Sequence, residues 1–243
     1  MDMEIPAAVL PARRLFLHYL HSCNGGRLDR QVRLTAVKEN SWSQGVAKIG
    51  LIEAARRLMG IPISVTEFPS MPGASSDNAP IKAMLARYKN EAKIYVSDEE
   101  NFCHQRFYVA KELCHLMMDT GHTEVFVQES SDIVQLLKDL QLPDGHAPSK
   151  ITEAFKSEIL AYWGAVELLL PPEFTTKAQE ILNSGSSDSL YQAALEFRVP
   201  KSIVERRYLD EDTQAVFEEI YKSHDYKTID LVPVAMGPKR PKG

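Results

Sequence analysis

The sequence predicts an α+β fold in which a small sheet precedes a mainly helical part. Short strand-like runs between residues 61 and 96 predict the sheet, and apolar residues at helical spacing from residue 103 onward predict the helices. The 243 residues are 44% apolar and 25% charged, which is an ordinary globular composition. This composition provides enough apolar side chains for a sizeable core and excludes a disordered or collagen-like chain.

Two helices are predicted before the sheet. The first contains the apolar set within Leu15–Leu20, and the second contains apolar residues from Ile49 to Met59 and ends at Gly60. Residues 23–44 have weak periodicity and are predicted to be mostly loop. Residues 13–57 carry nine basic and three acidic side chains, so this region is either a surface for an acidic partner or a solvated pair of helices.

Three short strands are predicted next. The first alternates apolar and polar residues from Ile61 to Val65. The other two, Ile81–Tyr88 and Ala92–Val96, flank a short polar segment that suits a hairpin turn. Pro69–Pro80 is rich in proline, glycine, serine and alanine and is predicted to be an exposed loop.

Most of the remaining chain is predicted to be helical. The longer helices cover Cys103–Met118, Ser131–Leu140 and Ile151–Leu170, and the last of them stops at two prolines. The shorter helices are Pro172–Asn183, Ser189–Phe197, Lys201–Leu209 and Thr213–Tyr221. The second and third of these have helix-turn-helix proportions, but acids outnumber bases there, which favours a packing role over DNA reading.

Charge, hydropathy and cysteine content narrow the class of protein. The net charge of -5 excludes nucleic-acid binding by bulk electrostatics, so direct nucleic-acid binding is not expected. No apolar run approaches the roughly 18 residues of a membrane span, and the N-terminal residues lack the features of a signal peptide. Three cysteines without CxxC spacing indicate neither a disulfide framework nor a cysteine-rich zinc site. We therefore expect a cytoplasmic protein without a membrane partner.

One segment has the frame of a known catalytic helix. Lys111-Glu112-Leu113-Cys114-His115 matches a His-Glu-x-x-His motif in which lysine replaces the first histidine. In that motif the two histidines lie one above the other on a helix and bind one zinc ion, while the glutamate is the general base for the metal-bound water. Only the glutamate and the second histidine remain here.

A second segment extends the similarity. Residues 158–171 place an acid early on an apolar helix that ends in Leu-Leu-Leu-Pro. Together with residues 106–119, this segment resembles the ImmA/IrrE family of zincin-like metallopeptidases. In that family an Arg-Phe-x-x-Ala-His-Glu-Leu-x-His-Leu helix precedes a Glu-x-x-Ala-x-x-Phe-Ala-x-x-Leu-Leu-x-Pro helix. The resemblance implies a zincin-like minimal metallopeptidase fold over residues 46–210, with a helical extension over 1–45 and a C-terminal helix and tail over 211–243.

The resemblance also implies a role for each site position. Glu112 falls on the general base, His115 on the second zinc ligand and Glu158 on the third, acidic ligand. Lys111 falls on the first ligand, although a lysine is protonated near neutral pH and repels a dication. Gly164 stands where the family has an aromatic residue, which predicts local repacking.

Two explanations of Lys111 are open from the sequence. Its ammonium either takes the place of the metal charge and holds Glu112 and Glu158 together, or extends to solvent from a decayed site. A rescued metal site needs a further ligand. Neighbouring residues of a helix point about 100° apart, which disfavours Cys114 beside His115. His104 lies about three helical turns away, which is too far on a straight helix. The remaining candidates are His122 and His146, in loops that could fold back within a predicted insertion or lid over residues 119–150.

The resemblance implies a role in gene regulation, since the family often acts on helix-turn-helix repressors of mobile elements or stress genes. The predicted function is a catalytically degenerate pseudo-metallopeptidase that binds a repressor or another protein partner. This function needs no cofactor, whereas a rescued site would hold zinc. The alternative is an active zinc-dependent metallo-endopeptidase with a rearranged site that cleaves such a repressor. A third hypothesis, a DNA-associated regulator, depends on the basic residues within 13–57.

Overall fold

A four-stranded sheet lies beside a set of packed helices in the computed structural model, which describes residues 5–23, 48–69, 81–88, 90–118, 125–129 and 153–229. The strands are β1 (Ile63–Phe68), β2 (Ile81–Arg87), β3 (Ala92–Ser97) and β4 (Val125–Glu129). The longer helices are α1 (Ile5–Cys23), α2 (Lys48–Met59), α3 (Phe102–Met118) and α4 (Glu153–Leu169). A 3-10 turn (Pro172–Phe174) is followed by α5 (Thr175–Leu182), α6 (Ser189–Phe197), α7 (Lys201–Tyr208), α8 (Glu211–Lys222) and α9 (His224–Thr228). These elements confirm the α+β class, with a small sheet and a helical C-terminal part.

The strands have the spatial order β1-β3-β2-β4. β2 and β3 are antiparallel across the predicted hairpin, where the Tyr88 N–H donates to the Glu91 carbonyl at 2.8 Å. β1 is parallel to β3 and begins two residues later than predicted. Pro62 has no N–H to give to a ladder, so it precedes the strand, and its carbonyl accepts the Ala92 N–H at 2.9 Å.

β4 lies within residues 119–150, the segment that the sequence predicts to be an insertion or lid. It pairs antiparallel with β2, so these five residues extend the sheet. A run this short has too little periodicity to indicate a strand by itself, and its conformation depends on pairing with β2. The predicted helix Ser131–Leu140 lies outside the described residues.

α1 is longer than the apolar set within Leu15–Leu20 indicates and passes through Pro11. A proline inside a helix removes one backbone hydrogen bond and costs about 3 kcal/mol or more. Here the helix buries Val9, Ala12, Leu15 and Phe16 against the rest of the protein. Burial of a large apolar side chain contributes about 1.5–3 kcal/mol, so this face offsets the proline.

The core lies where α1, α3 and α4 pack together and where α3 covers β2 and β3. Every residue of α3 from Gln105 to Leu116 is buried. A helix that is enclosed on all sides places its polar side chains in the interior. The charged residues of the sequence motif therefore lie in the core rather than in a solvated cleft.

The C-terminal helices follow the predictions with local differences. α6 has its predicted bounds, and it ends at Arg198, which adopts the left-handed conformation with φ of 53°. α8 begins earlier than predicted because the Asp210 side chain caps it by accepting the Thr213 N–H at 2.8 Å. α9 is an unpredicted short helix, in which the Ser223 hydroxyl accepts the Tyr226 N–H.

Several predictions fall on residues that the structure does not describe. They include most of the loops predicted at 23–44 and 69–80, and the tail after residue 229. Across the described residues, no helix combines the length and the apolar character needed to cross a membrane.

Candidate functional site

The residues of the Glu-x-x-His segment lie on α3. The Asn101 side chain caps this helix by accepting the backbone N–H groups of Cys103 at 3.0 Å and His104 at 3.1 Å, so the helix begins one residue earlier than predicted. The i, i+4 spacing puts Lys111 and His115 on one face of α3. Their exposed fractions are 1% and 0%, so both side chains lie in the interior.

Glu158 on α4 contacts both of these side chains. The Lys111 ammonium donates to Glu158 Oε2 at 2.7 Å, and His115 Nε2 lies 3.0 Å from Glu158 Oε1. Lys111 Nζ also lies 3.2 Å from Glu112 Oε1. The structure therefore brings together all four predicted site residues, and the lysine lies between the two carboxylates instead of extending to solvent.

A serine completes the surroundings of the histidine. Ser157 Oγ lies 3.1 Å from His115 Nδ1, while Nε2 on the other side of the ring faces Glu158. The two ring nitrogens therefore face different groups, a hydroxyl at Nδ1 and a carboxylate at Nε2. Ser157 thus orients the imidazole. Ser157 is not among the site residues predicted from the sequence, and its position directly before Glu158 is the signal that could have indicated it.

The electrostatics of the cluster follow from burial and from mutual contacts. Burial lowers the pKa of Lys111, but the charges of Glu112 and Glu158 outweigh it and hold that pKa above its ordinary value. Burial also acts to raise the pKa of Glu158, yet its contacts with His115 and Lys111 bring that pKa down to about 2. Lys111 and Glu158 therefore form an ionised pair at neutral pH.

Glu112 has a different environment. It is 0% exposed, and neither of its carboxylate oxygens accepts a hydrogen bond of good geometry from the described residues. Burial raises the pKa of Glu112, and the nearby Lys111 charge only partly opposes this shift. A general base must reach a water molecule, and a fully enclosed carboxyl beside an ammonium is poorly arranged for that task.

The donor set does not fit a catalytic zinc ion. A protonated lysine offers no lone pair, and its ammonium is already bonded to the carboxylate that falls on the third ligand position. The described residues contain no group of three or more histidine, cysteine, aspartate or glutamate side chains that could hold a metal ion. A catalytic zinc normally takes three protein ligands and a water, and here His115 and Glu158 provide two.

The further ligand candidates lie elsewhere or outside the described residues. Cys114 is buried, and burial raises the pKa of its thiol. A Cβ placed on Gly164 would lie 2.9 Å from Cys114 Sγ and 3.4 Å from the Ala8 carbonyl of α1. α3 and α1 therefore both approach α4 closely at Gly164. His104 is next to the Tyr108 ring, with 6.4 Å between ring centroids, and His122 and His146 are outside the described residues.

Comparison with known proteins adds no family assignment. No protein-family model matches the chain, and no curated protein matches it significantly. The similarity to the ImmA/IrrE family remains a prediction that rests on the two sequence segments.

Proposed function

We propose that this chain is an ImmA/IrrE-like regulatory protein of the pseudo-metallopeptidase type. It binds a protein partner, with a helix-turn-helix repressor as the first candidate, and does not cleave it. The observation that carries this proposal is the Lys111 ammonium, which lies 2.7 Å from Glu158 and 3.2 Å from Glu112.

The chemistry of this ion pair supports a role without peptide hydrolysis. Metal-assisted hydrolysis needs a Lewis acid that lowers the pKa of a bound water, and an ammonium lacks that capacity. Lys111 instead supplies a fixed positive charge that neutralises one carboxylate. The site then ties α3 to α4.

Zinc content tests the loss of the metal site. Protein purified without chelators should carry well under one zinc per chain, whereas Lys111→His should recover tight zinc binding, because His115 and Glu158 are retained on the same face of the site. Lys201→His is the matched control, since Lys201 is exposed on α7. Zinc near one per chain in the wild type, lost on mutation of His115 or Glu158, would contradict the proposal.

Recovery of a repressor tests the binding role. A helix-turn-helix repressor co-expressed with the tagged chain should be recovered intact in a complex. Recovery of repressor fragments, absent when Glu112→Gln replaces the wild type, would support the metallo-endopeptidase alternative instead.

A further inference from the structure

A second buried polar cluster lies at the C-terminal end of α4. Glu167 is nine residues beyond Glu158, about 13 Å along the helix, and is 0% exposed. Its Oε2 accepts the Tyr221 hydroxyl at 2.6 Å, and its Oε1 accepts the Tyr226 hydroxyl at 2.8 Å. Both donors come from the segment that contains α8 and α9.

Charged side chains from three other elements face this cluster. Arg13 on α1 donates to Glu173 of the 3-10 turn at 2.8 Å, and its guanidinium lies 5.1 Å from the centroid of the Tyr226 ring. Arg207 on α7 donates to the Tyr221 hydroxyl at 2.7 Å. With Glu167 ionised, two arginines balance two glutamates. Tyr208 on α7, whose pKa burial raises, also interacts with Glu167.

The segment of residues 211–229, here called the arm, contacts the protein along one side. Its buried residues recur at helical spacing, and the intervening side chains are mostly exposed. Phe217 of the arm packs on Trp163 of α4, with 5.8 Å between ring centroids. Leu209 and Asp210 join the arm to α7.

We propose that the arm covers the C-terminal half of α4 and that Glu167 holds it there through the hydroxyls of Tyr221 and Tyr226. Loss of these hydrogen bonds lets the arm move away from α4 as one unit and exposes Trp163. The proposal does not rest on the proposed function of the Lys111 site. It rests on a single carboxylate that receives hydrogen bonds from both helices of the arm and from no other described element.

The protonation of Glu167 sets the direction of the response to pH. Burial raises the pKa of Glu167 to about 7 with the arm docked, although Arg13, Arg207 and the two hydroxyls oppose this shift. Because the docked state binds the proton more tightly than a hydrated carboxyl does, protonation favours docking and ionisation weakens it. In the wild type above neutral pH, the hydrogen bonds from the two tyrosine hydroxyls offset the free-energy cost of burying the ionised Glu167 carboxylate.

The test removes the two donors from the arm. The double variant Tyr221→Phe, Tyr226→Phe leaves the ionised Glu167 carboxylate without these two hydrogen bonds. A hydrogen bond to a charged group normally stabilises a protein more than a hydrogen bond between neutral groups does. At about pH 8, amide hydrogens of 211–229 should exchange at least about tenfold faster in this variant, by a common factor across the arm, while α3 keeps its protection. At about pH 5.5 the neutral carboxyl should restore docking and the protection. Tyr191→Phe, at a tyrosine that is 57% exposed on α6, is the control and should match the wild type.

Trp163 supplies a second measurement on the full chain. The sequence has two tryptophans, so Trp42→Phe leaves Trp163 as the only indole. Opening should shift its emission to the red and increase quenching by acrylamide at the alkaline pH alone. Should the double variant fail to fold, Tyr226→Phe by itself gives the same readouts with a smaller change. Three results would each overturn the proposal. The first is unchanged amide exchange in the arm, and the second is loss of protection in α3 together with the arm. The third is the same acceleration of exchange at both pH values after correction for intrinsic exchange.

Discussion

Removal of the Lys111 charge should destabilise the fold far more than an exposed lysine substitution does. Lys111 is 1% exposed and pairs with Glu112 and Glu158. Removing one partner of a buried ion pair typically costs about 3–5 kcal/mol, because the other charge stays buried without compensation. We expect Lys111→Met to lower the free energy of unfolding by about this amount. Protonation of Glu112, which its raised pKa favours, should reduce the loss.

Two further variants separate the charge from the packing. Methionine keeps most of the side-chain volume, so any additional loss in Lys111→Ala reports the cavity. Combining Lys111→Met with Glu158→Gln should recover part of the stability, since the unpaired carboxylate disappears together with the ammonium. Lys201→Met, at an exposed position of α7, is the matched control and should leave the unfolding midpoint unchanged.

Urea denaturation at neutral pH measures these differences. With a slope of about 1–3 kcal/mol per molar urea, a loss of about 3–5 kcal/mol moves the midpoint by roughly 1 M or more. A change within about 0.5 kcal/mol for both Lys111→Met and Lys111→Ala is the usual result for a surface residue. Such a result would refute the ion pair and the reasoning about the site that depends on it.

Three other predictions concern the same core. The contacts of Glu158 lower its pKa from 4.5 to about 2, which corresponds to about 3 kcal/mol of stability. This stabilisation is complete above about pH 4.5 and is lost as the pH falls toward 2. Acid denaturation of Glu158→Gln should lack this pH-dependent loss of stability. Gly164→Ala should destabilise the fold by about 1–3 kcal/mol and lower its melting temperature, because the new Cβ would lie 2.9 Å from Cys114 Sγ. Adding Cys114→Ala should recover part of that loss. An unchanged melting temperature in Gly164→Ala would show that α3 and α4 separate easily. The Arg106 guanidinium donates to the carbonyls of residues 197 and 198, so Arg106→Met should destabilise the fold by about 1–3 kcal/mol for each carbonyl left unpaired. Faster amide exchange confined to α6 and α7 would identify the affected contact.

The helical part of the fold could be predicted because its signals are local. Apolar spacing placed α3 and α4 within a few residues of their ends, and α6 at its observed bounds. The ends that were missed depend on caps, such as the Asn101 side chain at α3 and the Asp210 side chain at α8. A capping hydrogen bond shifts a boundary by one or two residues without changing the periodic pattern.

Elements that depend on distant partners could not be predicted. β4 is a strand because β2 lies beside it, and α1 continues through Pro11 because its apolar face is buried by residues far away in the chain. In both cases tertiary contacts outweigh the local preference of the segment. The Glu167 cluster has the same origin, since its hydrogen bonds join residues 54 and 59 positions apart.

The sequence by itself determined which chemical groups the candidate site contains. Helical spacing places Lys111 and His115 on one face, and the replacement of histidine by lysine sets the charge there. Only the tertiary structure decided what that lysine does. The packing of α4 on α3 brings Glu158 within 2.7 Å of an ammonium 47 residues earlier in the chain, where Lys111 is 1% exposed. Burial by itself disfavours both charges, and the contacts that the assembled core creates outweigh it, so the ion pair is the favourable state of these two side chains.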